Sequence, residues 1–147
     1  MLKALRLTMK YLLLFILVFS VYAHAGKWYE GSWIISGAKF PGISAVGMKD
    51  ITPLIGTSGI VSSSNVTLRN SLCTEPVFSE SSVDREDFEF SYRATFDELG
   101  FGLGSVSVVT IGCPMKVGYI YSHLIQNNGV TYGVWEGAFV LLVESKP

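Results

Sequence analysis

Residues Val106 to Glu144, VSVVTIGCPMKVGYIYSHLIQNNGVTYGVWEGAFVLLVE, decide the fold class of this chain. Val106 to Ile111 is a β-branched run, the composition that favours a pleated strand over a helix. It leads into Cys113-Pro114, and Val117 to Ile125 reads as the next strand. Gln126 to Gly129 holds an Asn-Gly pair, the strongest short hairpin signal because both turn positions need positive φ. Val130 to Trp135 and Ala138 to Glu144 complete the run, with Gly137 between them. Four strands within roughly forty residues, separated by turn chemistry, point to an antiparallel β domain.

Working outward, Gly26 to Phe40 carries Trp28, Tyr29 and Trp33 into a first apolar strand that Pro41-Gly42 ends. Ile43, Val46, Ile51, Leu54 and Ile55 fall at loose helical spacing interrupted by Gly47 and Pro53, which predicts one or two short helical turns. Gly56 to Asn70 reads as one strand or a bent pair kinked at Ser62-Ser63-Ser64. Glu75 to Glu86, rich in Ser, Glu and Asp, reads as a mobile polar connector. Phe88, Phe90, Tyr92, Ala94 and Phe96 alternate with polar residues, and a period of two predicts a strand with one aromatic face. Asp97 to Gly104 turns the corner. The sum is mainly β: seven or eight strands, one short helical segment, and either a small closed antiparallel barrel or a compact sandwich. Closure would remove long aromatic edges that invite aggregation.

The first 25 residues carry a different signal. Lys3, Arg6 and Lys10 precede the apolar Tyr11 to Val21, and Ala23-His24-Ala25 has the small residues of a cleavage site. The apolar run is shorter than the roughly 20 residues that span a bilayer. The expectation is a bacterial signal peptide over 1–25, a single β domain over 26–147, and periplasmic or secreted localisation without a stable membrane span. Loss of the three leader cations turns a full-chain charge of −1 into −4, with 8 basic against 12 acidic residues. The cations are scattered, so no phosphate-binding face stands out and nucleic acid is not an expected partner. Cys73 and Cys113 are the two cysteines, and in an oxidising compartment such a pair is expected to bridge.

Catalytic chemistry is hard to assemble from these residues. His123 is the one imidazole after the leader, and it sits in an aromatic strand. Nucleophilic catalysis needs a base held against a nucleophile, and no G-x-S-x-G accompanies it. The carboxylates at Glu86-Asp87 and Asp97-Glu98 fall at connector or turn positions, where solvated charge is the simple reading. Asp84, Glu86 and Asp87 lack the glycine and terminal Glu of a calcium loop. Gly100 to Gly104 neither joins a strand to a helix nor carries a lysine, so it is no phosphate cradle. No catalytic residue, metal site or cofactor is assigned, and the chain is not read as an enzyme.

Aromatic residues are the remaining signal. Most are expected to fill the core, or else to wall an apolar cavity. Tyr119, Tyr121, Tyr132 and Trp135 keep polar tips suited to a binding surface. Gly31-Ser32-Trp33 resembles the G-x-W opening strand of lipocalin-like barrels. The series Leu54-Ile55-Gly56, Leu72 to Pro76, Leu99-Gly100, Val109 to Cys113 and Gly137 to Leu142 is similar to small exported proteins of proteobacteria. That resemblance implies a lipocalin-like or related barrel with a paired disulfide, and it implies no activity. Ser36-Gly37-Ala38-Lys39-Phe40 resembles the S-G-x-x-Y loop of periplasmic inhibitors of C-type lysozyme, with Phe in place of Tyr. The Trp-containing stretch that follows that loop in the inhibitors has its nearest counterpart here at Trp135-Glu136-Gly137, far along the chain. The resemblance adds Ser36 and Lys39 to the candidate binding surface. The expected function is a non-enzymatic envelope or secreted protein that binds another protein or a small apolar ligand. The alternative is an inhibitor or immunity protein against a lysozyme-like or toxic enzyme.

Overall fold

The computed structural model describes residues 26–145, so the expected signal peptide lies outside the described residues. The described chain is mainly β. Ten strands form one antiparallel sheet: β1 (Gly31–Lys39), β2 (Ser58–Val61), β3 (Asn65–Leu68), β4 (Ser71–Thr74), β5 (Val77–Val83), β6 (Val106–Gly112), β7 (Met115–Val117), β8 (His123–Asn127), β9 (Val130–Trp135) and β10 (Ala138–Glu144). The order across the sheet is β5-β6-β8-β9-β10-β1-β2-β3-β4-β7. Two expectations need correction. The strands number ten rather than seven or eight, and the sheet is not closed: β5 and β7 are its edges.

Proline explains the extra strands. Thr74 pairs with Met115 in the β4–β7 ladder, and Val77 pairs with Gly112 in the β5–β6 ladder. The two ladders therefore share one register across Glu75-Pro76 on one side and Cys113-Pro114 on the other. Proline lacks a ladder N–H and fixes its own φ, so each long strand is cut in two at that level. The break also leaves one flank of β5 and one of β7 unpaired. A disulfide joins Cys73 in β4 to Cys113 beside this break, with Cα atoms 5.8 Å apart.

The segment expected to be a polar connector is mostly β5, paired along its length with β6. The segment expected to be an alternating strand is helical: α2 (Arg85–Tyr92) and α3 (Phe96–Leu99). The Asp84 side chain caps α2 by accepting from the Asp87 N–H. Thr95 and Glu98 form a capping box at α3. Phe88 and Tyr92, four residues apart, share a helix face and stack at 4.6 Å. Phe88 is fully buried while Phe90 is 70 % exposed, the opposite of a common strand face. The expected helical turns near Ile43 to Ile55 are present as α1 (Met48–Ile51) followed by a 3-10 turn over Thr52–Leu54. Among the described residues there are thus three short α-helices rather than one helical segment.

Two apolar clusters hold the sheet, one on each face. Trp33, Ile35, Val66, Val109, Ile111, Leu124, Val140 and Leu142 pack on one face of the sheet. Val106, Val108, Ile125, Tyr132, Val134 and Phe139 face the other way and pack under Phe88, Phe96, Leu99 and Phe101. The parity is that of a strand: neighbours Leu124 and Ile125 enter different clusters. Helices α2 and α3 therefore cover this face of β6, β8, β9 and β10, whereas Ile51 of α1 joins the other cluster.

Candidate functional site

Three of the expected surface aromatics gather near one another, although Tyr121 among them is buried rather than at the surface. Tyr119 follows β7, Tyr121 precedes β8, and Trp135 ends β9. The Tyr119 and Trp135 rings lie 5.7 Å apart, and Tyr119 is 62 % exposed. The loop that carries Tyr119 is pinned, because its N–H donates to Ser71 Oγ at 2.9 Å. Two contacts fix the facing wall: Ala45 N–H and Ser44 Oγ both donate to the Glu136 carbonyl, at 2.9 and 3.0 Å. Gly137 sits at φ +85° directly under the backbone of Ile43 and Ser44, where a Cβ would collide with both. The β9–β10 turn thus clamps the segment before α1 against the aromatic pair.

These walls enclose an open groove of about 620 Å³ lined by Ala45, Val46, Lys49, Asp50, Pro53, Arg69, Tyr119, Trp135 and Glu136. Apolar contact area and charges of both signs lie side by side. Arg69 reaches it from the β3–β4 turn, where its own φ is 54°. Behind the groove lies a smaller cavity of about 370 Å³, lined by Ile111, Cys113, Lys116, Ile120, Tyr121, Ser122, Trp135, Glu136 and Gly137. The Tyr121 ring lies against Gly133, where a Cβ would sit 2.6 Å from the ring. Burial raises the Tyr121 phenol pKa well above its ordinary value.

The other expected surface residues lie elsewhere. Tyr132 is buried, and its hydroxyl donates to the Leu99 carbonyl at 2.7 Å, tying β9 to α3. Ser36 stands at a bulge in β1 opposite β10, with its hydroxyl on the Leu141 carbonyl at 3.3 Å. Lys39 Nζ donates to the Glu98 carbonyl at 2.6 Å. Neither Ser36 nor Lys39 lines the groove or the cavity. His123 is part-buried, meets the Tyr92 ring edge-on at 5.8 Å, and contacts Ser122 Oγ at 2.9 Å. Burial lowers its pKa. Among the described residues, no cluster of three or more His, Cys, Asp or Glu is arranged to hold a metal, and no helix is long and apolar enough to cross a membrane.

Sequence reasoning missed Ala45, Val46, Lys49, Pro53 and Arg69. They come from a helical segment and a distant hairpin turn, and no local pattern links them to Tyr119. Comparison with protein-family models, curated proteins and solved structures finds no match for this chain.

Proposed function

We propose that this chain is an exported, non-enzymatic binding protein whose recognition surface is the Tyr119–Trp135 groove, and that its partner is a segment of another protein. The observation that carries this reading is an exposed tyrosine beside a tryptophan on a clamped backbone, rimmed by Arg69, Lys49, Asp50 and Glu136. Protein interfaces draw their energy from such aromatic and arginine anchors with mixed charge around them. Rigid loops also reduce the entropy cost of docking. The Cys73–Cys113 disulfide supports an oxidising destination, and the basic, apolar and small-residue order of residues 1–25 supports export to a bacterial envelope or beyond.

The same proposal includes a barrel-like overall form. Continuous register across Pro76 and Pro114 supports it, since β4 and β5 follow one path and β6 and β7 another. A sheet that curls this way brings its two edges back toward each other even though hydrogen bonds do not complete the ring. The inhibitor reading draws less support. Ser36 to Lys39 belong to β1, where Gly37, Ala38 and Lys39 pair with β10 and Ser36 forms a bulge, an arrangement unlike a projecting plug.

The test is capture by the mature, oxidised protein from an envelope extract, with Tyr119→Ala and Phe90→Ala as matched baits. A partner retained by Phe90→Ala and lost by Tyr119→Ala, with at least about 1–2 kcal/mol of binding removed, supports the groove. Equal retention by both baits places the interface elsewhere.

A further inference from the structure

Tyr29, Tyr121 and Tyr132 are all buried, and two of the three hydroxyls are satisfied: Tyr29 donates to Glu80 and Tyr132 to Leu99. Trp33 likewise donates its indole N–H to the Tyr29 carbonyl at 3.0 Å. Tyr121 Oη and Trp135 Nε1 break this pattern. Both atoms are buried, and neither has a hydrogen-bond partner among the described residues. Tyr121 is 5 % exposed. The two side chains line the same cavity of about 370 Å³, within the size range of small-molecule sites. Buried polar groups are nearly always paired, so two unpaired ones at one cavity call for a common cause.

We propose that this cavity binds a small, electrically neutral organic molecule whose oxygen, once a small shift of the two side chains uncovers their polar atoms, accepts hydrogen bonds from Tyr121 Oη and Trp135 Nε1. An indole N–H only donates and a phenol O–H readily does, so the complementary group is an acceptor such as a carbonyl or amide oxygen. Tyr121, Trp135, Ile111 and Ile120 supply the apolar part of a mainly polar lining, which suits a small ligand that carries both an apolar body and a polar group. Lys116 and Glu136 border the cavity with opposite charges, so the rim favours neither an anion nor a cation. The site is distinct from the protein-binding groove, although both use Trp135 and Glu136, and it does not depend on that reading.

The experiment uses ¹⁵N-labelled mature protein with the disulfide intact. The indole N–H resonance of Trp135 is identified by its loss in Trp135→Phe. Benzamide and acetophenone are titrated as neutral probes with an acceptor oxygen, toluene as a probe without one, and benzoate as the anion. The expected result is saturable movement of the Trp135 resonance with a neutral acceptor probe at millimolar concentration. Toluene leaves it in place, and benzoate binds no more tightly than benzamide. Tyr121→Phe keeps a dispersed spectrum and weakens binding at least fivefold. Should Tyr121→Phe disturb the fold, saturation transfer to benzamide compared between the native chain and Trp135→Phe makes the same comparison. An indole proton indifferent to both acceptor probes, as expected if it bonds only to water, overturns the proposal. So does equal affinity in the native and substituted proteins, or tighter binding of benzoate.

Discussion

At the scale of single residues, one substitution made at two tyrosines should act with different sign. Tyr132→Phe removes a donor from the Leu99 carbonyl and should cost about 1 kcal/mol or more, because a buried acceptor loses its partner. Tyr121→Phe removes a buried hydroxyl that satisfies nothing within the described chain. Stability there should stay level or rise by up to about 1 kcal/mol. Chemical unfolding of the two variants checks the pair, and equal losses would mean that the Tyr121 hydroxyl has a structural partner. His123 offers a pH test. Burial holds its imidazole below the ordinary 6.5, so the unfolded chain takes up the proton first as pH falls. Stability is then full above about 6.5 and declines below it. The unfolding midpoint should drop between pH 7 and 5, modestly because the ring is only part-buried, and His123→Gln should flatten that slope. Tyr119 and Trp135 stood out in the sequence because tyrosine and tryptophan carry both an apolar body and a polar handle, whereas Tyr121, chosen with them as a surface residue, is buried. Tyr132 was grouped with them for the same reason. Its true place depends on which face of β9 meets the helices, and local sequence does not carry that choice.

Elements make sharper demands, and α2 shows why a periodic pattern can mislead. Phe88, Phe90, Tyr92 and Phe96 share a parity, but Phe88 and Tyr92 also share a helical face, and both periods fit so short a run. The caps decide between them. Asp84 stands three residues before Asp87, and Thr95 three before Glu98, the spacing by which a side chain satisfies a free N–H at a helix start. Those caps were present in the sequence and outrank a two-residue alternation that needs only four aromatic positions. Arg93 at φ 53° then ends α2 in the left-handed region. The consequence is measurable. Phe88→Ala should cost about 3 kcal/mol or more, since it empties a site among Tyr92, Phe96 and Phe101. Phe90→Ala should cost about 0.5 kcal/mol or less, its ring meeting mainly the Arg93 guanidinium at the surface. Asp84→Ala should remove about 1 kcal/mol by uncapping the helix. Similar losses at Phe88 and Phe90 would refute the helix. Where patterns did not compete, local chemistry sufficed: Asn128-Gly129 and Glu136-Gly137 both take positive φ at tight turns, as hairpin geometry requires.

On the scale of the whole molecule, the weak point and its fastening coincide. Pro76 and Pro114 interrupt the two long strands at one level, leaving β4–β7 as a three-pair ladder at the edge of the sheet. A ladder so short gains little cooperativity, and β7 is exposed along its length. The Cys73–Cys113 bridge crosses this level, with Cys73 fully buried in the cluster that holds Trp33 and Leu124. It closes a loop of 40 residues, and the restricted unfolded chain corresponds to roughly 2–4 kcal/mol of stability. The cysteine pairing was legible because only one partner was available to each residue. The break beside it was not, because a proline between two apolar runs reads equally as a turn or as a cut in one strand. Replacing both cysteines by serine should therefore do two distinguishable things. Global stability should fall by roughly 2–4 kcal/mol, read from denaturant unfolding with an unchanged slope. Hydrogen exchange should quicken most at the amides of β4 and β7, where the bridge is the main fastening. The amides of β8, β9, β10 and β1 are held on both sides by neighbouring strands, so they should change only as far as global stability does. If exchange rises evenly over the sheet, the bridge acts through the unfolded chain alone and the edge ladder holds by itself. If β4 and β7 open first, the disulfide is what holds this edge ladder in place, and with it the wall of the cavity that Cys113 and Lys116 line.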